Sequence, residues 1–177
     1  MKLNGKSRSV KYIFLNIFGA ALLSVLLFIY LFSPYKVIGN SMSPVINSGD
    51  KLLISNSLLT GKIERFDILV VQPPDSGGKK LIKRVVGLPG ESIEIKSGDV
   101  LVNNSLLIEP FLENKGDVIF RSINMKERQI PQDCYFLLGD YREKSTDSRN
   151  FGPLHKNTII GKTLIRYWPF KKIGLIK

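Results

Sequence analysis

The run Gly39-Asn-Ser-Met-Ser-Pro44 sets Ser41 in a turn that holds neither histidine nor acid. A serine hydroxyl is a poor nucleophile until a base takes its proton, so chemistry at Ser41 requires a base from elsewhere in the chain. Asn, Ser, Gly and Pro are also the residues of plain turns, and local spacing fits that reading too.

Two bases are on offer. His155 is the sole histidine, and a Ser–His–Asp arrangement would have to use it. Lysine is the alternative, as in Ser–Lys variants of the triad. A lysine with an ordinary pKa of about 10.4 is charged at neutral pH and accepts no proton. Burial against apolar neighbours disfavours the ammonium and lowers that value. Lys83 meets this condition best: in Leu81-Ile-Lys-Arg-Val-Val86 a two-residue period sets it between Leu81 and Val85 on one face of a strand. Ile82, Arg84 and Val86 alternate in the same way on the other face, so the pattern leaves open which face is inward. A lysine that snorkels to solvent is the competing reading.

A third segment, Leu138 to Pro153, follows a strand with a loop dense in hydrogen-bonding groups. Asp147 and Arg149 suit a bidentate pair, and Ser145 can both donate to and accept from a neutral lysine. Asx turns would hold such a loop without any function, yet long loops this rich in polar groups are uncommon unless functional.

The elements that must position these groups are legible around them. Tyr12 to Phe32 is apolar apart from Asn16, Gly19 and Ser24. As a helix rising about 1.5 Å per residue it spans a hydrocarbon core of about 30 Å. It is longer than a secretory signal core and ends on Ile29-Tyr-Leu-Phe32, where a cleavage site would need small residues. An uncleaved single-pass anchor (12–32) is therefore expected. Lys2, Lys6, Arg8 and Lys11 precede it, with no acid before residue 34. The positive-inside tendency puts residues 1–11 in the cytoplasm and 34–177 outside.

Beyond the anchor, short runs read as strands: 51–55, 68–71, 81–86, 92–95, 100–102, 135–138 and 158–165. Residues 72–80 read as a hairpin loop, 96–99 and 102–105 as turns, and 109–128 as an excursion from the main sheet. The expected fold is mostly β, an antiparallel sandwich or barrel-like catalytic domain behind one transmembrane helix. The net charge is +11, which suits anionic headgroups. The basic residues are scattered and carry no recognition motif, so nucleic acid is not expected as a partner. A lone cysteine, Cys134, excludes an intrachain disulfide, and with one histidine a zinc site is not expected, nor any other cofactor.

Ser41-Met-Ser-Pro44, Lys83-Arg-Val-Val-Gly-Leu-Pro-Gly-Glu91 and Gly139-Asp-Tyr-Arg-Glu-Lys-Ser-Thr-Asp-Ser-Arg-Asn-Phe-Gly-Pro153, in that order behind an anchor, closely resemble the motifs of bacterial type I signal peptidases. The resemblance implies a monomeric, membrane-bound serine endopeptidase that removes signal peptides from preproteins after small-x-small sites. It implies Ser41 as nucleophile, Lys83 as general base, and Ser145 bonded to the lysine. Asp147 and Arg149 would support the loop, with Arg84 beside the base. The Ser41 N–H would serve the oxyanion hole, and Val37, Met42, Ile46, Leu81 and Ile82 would line the pockets for small side chains. Two departures stand out: Gly39 replaces a serine that adds a hydroxyl to the oxyanion hole in some members, and Tyr141 replaces the usual asparagine. The eukaryotic secretory branch has histidine at the position of Lys83, so the chain matches the bacterial type and His155 becomes a bystander. A dedicated maturation protease would use the same dyad. A non-catalytic membrane-tethered β module would tolerate loss of both residues.

Overall fold

The computed structural model describes residues 4–112 and 118–176; the expected basic tail therefore lies partly, with Lys2, outside the described residues. Helix α1 (Asn4–Leu31) contains an exposed apolar stretch, Lys11–Leu31, long enough to cross a membrane. It passes directly into β1 (Phe32–Lys36). Phe32, expected to close the helix, is instead the first strand residue. Pro34 explains the stop, because its ring would clash with the carbonyl one turn back and it drives Ser33 into extended conformation.

The strands β2 (Lys51–Ser55), β3 (Ile68–Val71), β4 (Leu81–Gly87), β5 (Ser92–Lys96), β6 (Asp99–Val102) and β7 (Ser105–Leu106) follow. After a short helix α2 (Val118–Arg121) come β8 (Met125–Gln129) and β9 (Cys134–Leu138). The chain closes with helix α3 (Ser148–Phe151), β10 (Leu154–His155), β11 (Ile159–Trp168) and β12 (Gly174–Leu175).

Two antiparallel sheets result. The larger has the order β1-β2-β11-β3-β4-β9-β10, with β12 added to β11, and the smaller has the order β7-β6-β5-β8. The mostly β architecture expected from the sequence is present. Residues 72–80 close the hairpin between β3 and β4, whose pairing runs from Ile68↔Arg84 to Val71↔Leu81. The excursion does leave the main sheet, and its end returns as β8, an edge strand of the smaller sheet paired with β5. Gly161 lets β11 cross β2 closely, since a Cβ there would collide with the Ser55 carbonyl oxygen.

Three apolar clusters fill the domain. Val86, Ile93, Ile95, Val100, Phe136 and Leu138 join the two sheets. Leu69, Val71, Val85 and Leu137 pack on one face of the larger sheet. Val37, Met42, Ile46, Leu52, Ile68 and Ile82 form the third cluster, under the turn that bears Ser41.

Candidate active site

Ser41 follows Gly39 and Asn40 at the start of a tight turn. Gly39 has φ +93°, a left-handed conformation that glycine adopts without strain. The turn closes through Ser43 N–H to the Asn40 carbonyl (3.0 Å) and Ile46 N–H to the Met42 carbonyl (2.8 Å). Arg166 of β11 clamps it from outside, donating to the Val45 carbonyl (2.8 Å) and to Asp50 (3.2 Å). Neither Arg166 nor Asp50 carries a motif signal.

Lys83 comes from the middle of β4. Its Nζ lies 2.7 Å from Ser41 Oγ and 3.0 Å from the Ile82 carbonyl oxygen. The side chain is 2% exposed, which answers the sequence ambiguity in an unexpected way: both faces of β4 are buried, and Arg84 is as enclosed as Lys83. Burial lowers the Lys83 pKa from 10.5 to about 8. The carboxylates of Asp147 and Asp140 oppose that fall, and Arg149 adds to it. The pair is thus a hydroxyl hydrogen-bonded to an amine that sheds its proton near neutral pH, the arrangement a Ser–Lys nucleophile needs.

The loop after β9 abuts the same serine. Tyr141 N–H donates to the Ser41 carbonyl (3.0 Å). A Cβ at Gly139 would run into that carbonyl and into Ser145 Oγ, so only glycine permits this approach. Asp147 and Arg149 form the expected bidentate pair (2.8 and 2.9 Å). Asp147 does more than pair: it accepts from Gly139 N–H (3.1 Å) and caps α3. Arg149 also donates to the Arg142 carbonyl (2.6 Å), closing the loop on itself.

A family model described as signal peptidase, peptidase S26, matches residues 10–168. The chain belongs to that family. Signal peptidase I of Bacillus caldolyticus is 38% identical over 157 residues, covering 82% of this chain and 85% of that protein. Signal peptidase I V of Bacillus subtilis is 39% identical over 140 residues, covering 73% and 82%. Signal peptidase IB of Staphylococcus aureus is 32% identical over 173 residues, covering 88% and 90%. A crystal structure of a signal peptidase I from Enterococcus faecalis aligns with a TM-score of 0.47 at 29% identity, over 57% of this chain and 96% of that one. The chain is accordingly a signal peptidase, a serine peptidase.

The signal peptidase departs from the sequence expectations at two places. Ser145 is not bonded to Lys83: the Lys83 bonds go to Ser41 and Ile82, while Ser145 Oγ is buried against Gly139 and has no hydrogen-bond partner. Leu81 does not join the other expected pocket residues. The strand pleat sends Ile82 into the cluster with Val37, Met42 and Ile46, and Leu81 to the opposite face against the Leu69 and Val71 cluster.

The sequence reading places Arg84 beside the base but misses its partner Asp140, and it misses Glu109, Arg142 and Ser148 altogether. Arg84 does not merely flank the base. It makes a buried bidentate pair with Asp140 (2.9 and 2.7 Å) and stacks on the Phe111 ring at 3.9 Å. Glu109 pairs with Arg142, both fully enclosed. Ser148 Oγ accepts from Leu137 N–H (3.0 Å). Asp140 and Arg142 lie inside the third motif, whereas the partners Arg84 and Glu109 are distant in sequence, which is why no local pattern joins them. His155 accepts from Asn157 N–H and lies in β10. Among the described residues no group of three or more His, Cys, Asp or Glu is placed to hold a metal ion.

Proposed function

We propose that this signal peptidase cuts exported preproteins after small-x-small sites, with Ser41 as nucleophile and Lys83 as its general base. The observation that carries the reading is the 2.7 Å contact between Ser41 Oγ and the buried Lys83 Nζ. Neutral Lys83 takes the Ser41 proton as Oγ bonds to the scissile carbonyl carbon. The same proton passes to the leaving amine as the C–N bond breaks, and Lys83 then activates water against the acyl-enzyme. The Ser41 N–H contributes to the oxyanion hole. Ser145, Asp147, Arg149 and Arg84 support the dyad through the loop after β9. The partnerless Ser145 hydroxyl is free to turn to Lys83 once Ser41 reacts. Val37, Met42, Ile46 and Ile82 floor the pockets for small side chains at −1 and −3.

Residues 1–11 form a cytoplasmic tail, 12–32 the single anchor and 34–177 an extracytoplasmic monomeric domain. Exposure of Tyr167, Trp168, Phe170, Ile173 and Leu175 beside Lys51, Lys171 and Lys172 supports contact with lipid headgroups. The Lys51 ammonium over the Trp168 ring (5.6 Å) ties the two kinds of anchor together.

The test is mass spectrometry of a preprotein incubated with the full chain in lipid micelles. A single cut after a small-x-small site is expected, and none with Ser41→Ala. A cut that survives in Ser41→Ala would sink the assignment of the nucleophile.

The dyad also fixes a pH dependence. Only neutral Lys83 accepts a proton, and its pKa falls from 10.5 to about 8 on burial. The kcat/KM should therefore rise about tenfold per pH unit up to a midpoint near 8 and flatten above it. Initial rates from pH 6 to 10 check this; a profile flat below pH 8 would exclude Lys83 as base.

A further inference from the structure

A cavity of about 230 Å³ is lined by residues of the nucleophile turn and of the loop after β9, and it shares no residue with the Met42 and Ile82 cluster. Ser43 and Pro44 of the nucleophile turn form one wall, and Asp140, Tyr141, Arg142 and Glu143 form the other. The link to Ser41 is direct: Tyr141 N–H holds its carbonyl, and Ser43 is two residues on. With Val37, Met42 and Ile82 taken up by the −1 and −3 side chains, this separate cavity next to the nucleophile turn is left for the residues beyond the cut. The first residues of the released mature chain therefore meet this cavity.

Three charged side chains border it, and two are already committed. Asp140 is held by Nε and one terminal nitrogen of the Arg84 guanidinium, and Arg142 is spent on Glu109 and the Gly139 carbonyl. Glu143 is the exception. Its Oε1 is buried and has no hydrogen-bond partner. A carboxylate oxygen withdrawn from water without a donor is costly, and a ligand that brings a cation relieves the cost.

We propose that Glu143 accepts a cation carried by the first residues of the mature chain, so that the cavity is a specificity-determining subsite on the leaving-group side. The inference rests on the peptidase reading above. The shared ligand chemistry is an ammonium or guanidinium, supplied either by a side chain at +1 to +3 or by the α-ammonium that cleavage creates.

The experiment uses the full chain in micelles and peptides identical except for Ala, Lys or Glu at +1, +2 or +3. Lysine at one of these positions should raise kcat/KM over alanine on the order of tenfold, as expected for a hydrogen bond to a charged group. Glutamate there should lower it. In Glu143→Gln the lysine-to-alanine ratio should fall towards one, and in Glu143→Lys the preference should reverse towards glutamate. A second arm measures inhibition by the mature-side product with a free or an acetylated N-terminus. Inhibition that needs the free amine and Glu143 assigns the cation to the α-ammonium instead of a side chain. Cleavage with no charge preference, together with equal inhibition by both products, overturns the subsite alone. Failure to cut any peptide overturns the peptidase reading and the subsite with it.

Discussion

Lys83→Met is expected to end turnover and yet to raise the unfolding temperature at pH 7. The loss should be at least about a thousandfold, since the variant removes the amine bonded to Ser41, the proposed general base. The stability gain follows from the same burial. With the pKa lowered from 10.5 to about 8, the unfolded chain holds more protons than the folded one between those values. Stability therefore rises with pH across that window, and below it the folded protein carries a buried ammonium at a cost of about 3 kcal/mol. Methionine fills a similar volume without charge. Bonds to Ser41 and the Ile82 carbonyl are forfeited, so a net gain of about 1–2 kcal/mol is expected, worth a few degrees. Asp147 and Asp140 stay compensated by Arg149 and Arg84. Thermal unfolding in micelles at pH 7 and pH 10.5 is the check. The gain should shrink at the higher pH, where the wild-type lysine has already discharged; a variant less stable at both pH values would contradict the account.

Glu109→Leu should be among the most damaging single changes outside the dyad. Glu109 accepts two bonds from Arg142, and neither side chain is more than 2% exposed. Removing the carboxylate strands a buried guanidinium, a loss of about 3–5 kcal/mol, or about 10 °C in unfolding temperature. Activity should fall as well, because Arg142 also holds the Gly139 carbonyl and its own carbonyl receives Arg149. The double variant Glu109→Leu with Arg142→Leu should recover much of the stability, since no lone charge remains. Denaturation of the four proteins of this cycle measures the coupling; additive losses would show that the pair is not a unit.

Much of the fold is readable because most inner strands are short apolar runs between turn residues: seven strands, five in the larger sheet and β5 and β6 in the smaller, match runs in the sequence to within a few residues. β1 was invisible: Phe-Ser-Pro-Tyr-Lys neither alternates nor clusters, and it is a strand only because β2 offers its edge. β8 is almost wholly polar for the same reason, an edge strand with four of five residues exposed. At the site, Ser41, Lys83, Asp147 and Arg149 could be singled out because their types announce chemistry. What could not be read was which face of β4 is inward, since both are, and which carboxylate each arginine finds. Arg84–Asp140 and Arg142–Glu109 join residues far apart in sequence, and only folding decides such partners.

The join between α1 and β1 contains no slack. Asn56 N–H caps the Leu31 carbonyl at 2.8 Å, and Phe32 is already paired with Ser55. The helix therefore runs into the sheet with no loop residue between them. Ser41 sits at one set height beyond that helix, past a strand of roughly 16 Å. On the proposed topology, a lean of the helix carries the serine with it, which makes bilayer thickness a gauge for where along an emerging chain the cut can fall.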